Sequence, residues 1–285
     1  MTYATAPPTA TLAFALALAG CGGGAPAPAE AEVGAASADE SGAYAPDASH
    51  LPAVIAEVYA AHAGELPAGR AIAYDLDLWF GGKPRYGGRV TQSVSMDRIA
   101  IDRDADDVGL RYDGARVAMV GDTAVGGDWP RARFDVFTWP YFFAAPFKRA
   151  DPGTAWGEVA DYPWVGGEAA PAAELTFAAG TGDAPDDFYV VVPGADGLLD
   201  GMAYIVTFGK GADAAAEAAP HAIRYSDYRD VDGVPVAHRW EFFNWNADDG
   251  LGEELIGYAD LSDVRWVDAD DEAFATEGGI AVEMP

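Results

Sequence analysis

In RAIAYDLDLWF, residues 70–80, Ile72, Tyr74, Leu76, Leu78 and Phe80 alternate with Asp75, Asp77 and Trp79. A period of two places these sets on opposite faces of an extended chain, the pattern of a half-buried strand. Strand-like segments follow at 88–96, 98–102, 108–114 and 116–122. A second series occupies 173–180, 186–194, 201–209, 221–233, 234–246 and 255–267. Turn signals such as YDGA, residues 112–115, separate them, and the connections are short. Consecutive antiparallel pairing is therefore expected. The expected fold is mainly β with a few helices.

Two segments depart from this period. Residues 51–64 place Leu51, Val54, Ile55, Val58, Tyr59 and His62 on one helical stripe, which predicts an amphipathic helix at the start of the folded part. Between the two strand series lies RARFDVFTWPYFFAAPFKR, residues 131–149. Phe134, Phe137 and Tyr141 have helical spacing, and Pro140 and Pro146 are expected to end or kink the helix. The run packs Trp139, Tyr141, Phe142, Phe143 and Phe147 close together, yet the prolines and Lys148–Arg149 make it too short to span a membrane. So much aromatic surface is core, a partner surface or the lining of a pocket. A curved antiparallel sheet of about ten strands rarely stays open uncovered, and an aromatic helical insertion between two strand groups is placed to cover it.

The N-terminal apolar stretch ends in Leu18, Ala19, Gly20 and Cys21. Its length suits a signal-peptide core and not a membrane anchor. Leu18–Cys21 resembles a bacterial lipobox, which predicts a signal peptide over 1–20 and lipidation of Cys21. Because Cys21 is the chain's single cysteine, lipidation leaves no thiol for catalysis, metal binding or a disulfide. Gly22 follows it, so an outer-membrane address is expected. Residues 21–50 read as a flexible acidic tether, and 51–285 as one folded domain.

The chain has 46 acidic and 17 basic residues, a formal net charge of -29. That field disfavours nucleic acid and anionic headgroups as partners. Many carboxylates with few lysines also suggest a halophilic surface, on which salt relieves self-repulsion.

Motifs for catalysis are missing. Asp102, Asp104, Asp106 and Asp113 have EF-hand spacing, but Asp107 stands where the loop needs glycine and strands flank it. His50, His62, His221 and His238 form no metal-binding spacing, although His221 and His238 could face each other across a hairpin. There is no G-x-S-x-G elbow and no phosphate-binding glycine pattern. No catalytic residue, metal or cofactor is assigned.

DDFYVVVPGADGLLDGMAYIVTFG, followed by IRYSDYRDVDGVPVAHRWEFFNW, resembles the periplasmic LolA/LolB/RseB-like superfamily. FTWPYFFAAPFKRADPGTAW is similar to the middle of a related family of bacterial outer-membrane lipoproteins whose domain has no assigned function. The resemblance implies a half-open curved antiparallel β-barrel wrapped around a helical lid. In relatives its apolar cavity takes acyl chains or lipoprotein lipid moieties. It implies a ligand-binding lid or wall of Trp139, Tyr141, Phe142, Phe143 and Phe147, with Leu78, Phe80, Tyr204, Trp240 and Phe242 from inward-facing strand positions. The expected protein is a non-enzymatic, periplasm-facing lipoprotein held in the outer membrane by its lipid anchor, whose partner is a lipid or other hydrophobic small molecule. The alternative is an envelope sensor or interaction module of RseB type, using the same cleft for an envelope protein partner. A hydrolase with an unrecognised acidic pair is the third reading.

Overall fold

The computed structural model describes residues 46–284 except 64–65, 68, 123–128, 130, 211–214, 216–217 and 269. The predicted signal peptide, Cys21 and most of the tether lie outside the described residues.

The chain opens with helix α1 (Ala53–Ala63) and continues into five strands, β1 (Ala71–Phe80), β2 (Lys83–Ser93), β3 (Ile99–Arg103), β4 (Val108–Tyr112) and β5 (Val117–Gly121). Helix α2 (Ala132–Ala144) follows, then β6 (Thr154–Trp156), β7 (Ala160–Pro163) and β8 (Ala169–Phe177). The remaining strands are β9 (Tyr189–Pro193), β10 (Leu199–Tyr204), β11 (His221–Val231), β12 (Val234–Asn246), β13 (Gly250–Val267) and β14 (Ile280–Ala281).

Among the described residues the strands form one 14-stranded sheet in the order β14-β5-β4-β3-β2-β1-β13-β12-β11-β10-β9-β8-β6, with β7 beside β8. Every pairing that joins consecutive members of this order is antiparallel. The β1–β13 pair, with Leu76 opposite Leu261 and Leu78 opposite Ala259, joins an arm of β1–β5 to an arm of β8–β13. The order ends at β14 and β6 and does not close. The fold is therefore mainly β, a curved, half-open antiparallel sheet with, among the described residues, two α-helices.

Helix α2 reaches both arms. Phe143 stacks on Tyr74 of β1 at 4.4 Å, Phe142 lies 5.0 Å from Tyr204 of β10, and Phe137 meets Tyr112 of β4 edge-on at 5.0 Å. A sheet that touches one helix from such distant strands has to curve around it. Its other face is covered over β8–β11 by Trp164 and Trp245, packed against Ala172, Val190, Val192, Ala203 and Ala222. A side chain at Gly201 would begin 2.6 Å from the Trp164 ring, so this close approach requires glycine. Burial on both faces explains why Tyr189–Val192 is continuously apolar where β1 alternates.

Pro140 lies inside α2, which runs on to Ala144 instead of stopping there. Proline removes an intrahelical donor and is poorly tolerated within a helix, so tertiary contacts have to hold this one. A buried chain does so in part: the Tyr74 hydroxyl donates to Gln92 Oε1 at 2.9 Å, and Gln92 Nε2 donates to the Pro140 carbonyl at 3.2 Å.

His221 and His238 do not face each other. His221 sits opposite Asn244 in the β11–β12 register, and its Nδ1 lies 3.2 Å from Asn244 Oδ1. His238 is buried, with Nδ1 3.0 Å from the Val236 carbonyl.

Candidate functional site

The helical period divides the aromatic segment between two environments. Val136, Trp139, Pro140 and Phe143 recur at three- to four-residue intervals along one side of α2 and are buried. Arg133, Phe134, Phe137, Thr138, Tyr141 and Phe142 form a second stripe, which lines a cleft of about 400 Å³. One border of the cleft is the β2–β3 and β4–β5 turns, through Ser95, Met96 and Ala115, together with Tyr112. The other comprises Thr154 of β6, Phe177 of β8, Tyr189 of β9, Tyr204 of β10, Val206 and Phe208. The cleft thus occupies the side on which the sheet fails to close.

Of the residues assigned to a binding site from the sequence, Tyr141, Phe142 and Tyr204 line this cleft. Trp139 lies behind it, 7% exposed, its indole Nε1 donating to Asp135 Oδ1 at 3.0 Å. Phe143 and Phe147 are buried 6.2 Å apart, and Trp240 is buried with Tyr225. The space among Phe143, Phe147 and Trp240 is about 10 Å³, room for no more than one water. Leu78 and Phe242 are fully buried, and half-buried Phe80 packs on Phe242 at 5.3 Å.

The sequence reading did not single out Met96, Tyr112, Phe177, Tyr189, Val206 or Phe208 as site residues. They come from segments far apart in the chain, and only tertiary structure brings them together. The face of α2 was accessible to helical spacing once the helix is carried through Pro140.

The apolar walls carry a small polar set. Arg133 makes a bidentate pair with Asp183, Nε to Oδ2 at 2.6 Å and Nη2 to Oδ1 at 3.0 Å, linking α2 to the loop before β9. Asp187 accepts from Thr207 N and Oγ1, both at 2.7 Å. Burial pushes its carboxyl up to about 6 against the opposing pull of those bonds. Lys148 Nζ donates to the Ser95 carbonyl at 2.8 Å and contacts the Asp151 carboxylate. Burial acts against charge on both partners, raising the Asp151 carboxyl and lowering the Lys148 amine, while their direct contact opposes both shifts and favours the charged pair. Asp151 Oδ1 and Thr181 Oγ1 are buried without a hydrogen-bond partner among the described residues.

Arg149 is fully buried amid the phenols of Tyr141, Tyr225, Tyr189 and Tyr228, and burial lowers its pKa. Nη2 lies 2.7 Å from Met202 Sδ. Among the described residues no three or more His, Cys, Asp or Glu are grouped to hold a metal. Three of the four EF-hand-spaced carboxylates have other partners: Asp102 pairs with Arg111, Asp106 with Arg103, and Asp113 accepts from Thr276 and two backbone amides.

No family model and no curated protein matches the chain. The chain is similar in fold to LolA-superfamily proteins. A LolA superfamily protein from Nitrosomonas europaea has 10% identity over 78% of this chain and 96% of its own, with a TM-score of 0.49. A domain from Vibrio parahaemolyticus, described as an outer membrane lipoprotein-sorting protein, has 13% identity over 77% and 94%, at 0.41. A DUF1329 family protein from Desulfovibrio piger has 12% identity over 73% and 90%, at 0.43. At such identities no residue role transfers from these neighbours.

Proposed function

We propose that the protein is a non-enzymatic lipoprotein of the bacterial envelope, tethered through lipidated Cys21 to the outer membrane on its periplasmic side, which binds a hydrophobic ligand in the cleft. The cleft itself carries this reading. Its volume of about 400 Å³ falls within the range of about 300–1,000 Å³ usual for small-molecule sites, which are mostly apolar with a few placed polar groups. Phe134, Phe137, Tyr141, Phe177 and Phe208 supply apolar surface, and the polar set gathers at Lys148, Asp151, Thr181 and Asp187. Burial also raises the Tyr141, Tyr189 and Tyr204 phenols, keeping them neutral at physiological pH.

Native mass spectrometry of gently purified protein tests the reading. A co-purified lipid or fatty-acid mass, lost in Tyr141→Ala/Phe177→Ala without loss of near-ultraviolet circular dichroism, is the expected result. An apo mass that stays unchanged after incubation with single-chain lipids would overturn it. Recovery of an envelope protein in place of lipid would favour the RseB-type alternative.

A further inference from the structure

We infer that the cleft selects an amphiphile with an uncharged, hydrogen-bonding head and rejects the same chain bearing a phosphate. The inference rests on the apolar-ligand reading and adds head chemistry to it.

Head chemistry follows from what the polar wall still needs. Lys148 is engaged by Asp151 and the Ser95 carbonyl, and Arg133 is held in its fork with Asp183. Both cations of the wall are thus already matched by carboxylates, while Asp187 adds a further acid and Asp97 also acts on Lys148. The Arg149 guanidinium is fully buried and is not among the lining residues, so a phosphate entering here would bring charge with no lining cation left to match it, and desolvating such a charge is strongly unfavourable.

The unmet groups are Asp151 Oδ1, an acceptor, and the Thr181 hydroxyl, which can donate. They lie on adjoining segments: Ala178 N donates to the Gly153 carbonyl at 2.8 Å, and a Cβ on Gly153 would sit 2.5 Å from Thr181 Oγ1. A head that donates to Asp151 and accepts from Thr181 satisfies both. A hydroxyl or protonated carboxyl does so without adding net charge.

Equilibrium dialysis of the full chain, carrying Cys21→Ser so that no acyl group is attached, against radiolabelled 1-dodecanol or dodecyl phosphate tests this. Dodecanol should bind more tightly than the phosphate by on the order of a hundredfold. Thr181→Val should weaken dodecanol roughly threefold to tenfold, as expected for one lost hydrogen bond. Asp151→Asn releases Lys148 and should narrow the preference by roughly tenfold. Equal binding of the two ligands overturns the head selectivity and leaves the apolar-cleft reading standing. Binding of neither overturns both.

Discussion

His62 shows how much of the fold one buried polar side chain can organise. The ring is 1% exposed; Nε2 accepts from Leu199 N and Nδ1 donates to the Pro235 carbonyl, both at 3.1 Å. These bonds tie α1 to β10 and to the start of β12, and they require the neutral ring. Burial is the main reason its pKa falls from 6.5 to about 4, and the Arg149 charge assists. The folded-state pKa is the lower one, so this contribution is complete above about pH 6.5 and is lost as pH falls towards about 4. A shift of this size corresponds to about 3 kcal/mol. Urea unfolding of wild type and His62→Gln at pH 7.5 and 4.5 isolates the effect. Wild type should be the more stable at pH 7.5, and the gap should shrink by about 2 kcal/mol at pH 4.5; a gap independent of pH would refute the assignment.

At the scale of the element, α2 depends on the sheet for a bond that Pro146, just past its C-terminal end, withholds. Pro146 has no N–H to offer the Phe142 carbonyl four residues earlier, and the Tyr225 hydroxyl donates to that carbonyl instead at 2.8 Å. Tyr225→Phe should therefore destabilise the protein by about 1–2 kcal/mol. The loss should be smaller in a Pro146→Ala background, where a backbone donor returns, because Ala145 is already right-handed helical at φ -47, ψ -44. Chemical denaturation of the four proteins checks this, and additive losses would refute it. The same helix marks what was legible in the sequence. Period-two alternation located β1, and strand-like segments bounded by turn signals located β3, β4, β5 and the long strands β11–β13, although β3–β5 each begin with three consecutive buried residues and not an alternating face. Alternation could not locate β6, β7 or β14, which span 3, 4 and 2 residues, too short for periodicity. Composition identified the aromatic segment as a coverer of the sheet but not its two faces, because Pro140 obscured the helix that separates Phe143 from Tyr141. Phe274 was missed for a related reason: it is buried against Ala71 and Ala100 within an otherwise acidic, exposed turn.

At the scale of the molecule, the excess of 46 acidic over 17 basic residues sets two electrostatic effects against each other. Arg89 bridges Asp75 and Asp263 at 2.7 and 2.8 Å, Arg239 holds Asp260 at 2.9 Å, and Arg111 holds Asp102 at 2.6 Å. The carboxylates of these pairs are about half exposed, so each pair contributes about 0–1 kcal/mol and salt weakens it. Repulsion among the unmatched carboxylates has the opposite sign and reaches further. At about 10 mM salt the screening length is about 30 Å, so most of the surface repels itself, and at about 1 M it is about 3 Å. With a net charge of -29, even pairing every arginine and lysine would leave the repulsion in excess, so its relief should dominate. The urea midpoint at pH 7.5 is expected to rise between about 10 mM and about 1 M sodium chloride. The same comparison near the isoelectric point of about 4.1, where net charge vanishes, should show little rise. Equal midpoints at pH 7.5 would mean that local pairing, and not the global field, governs the acidic surface. An equal rise at both pH values would assign the effect to salt acting on apolar burial.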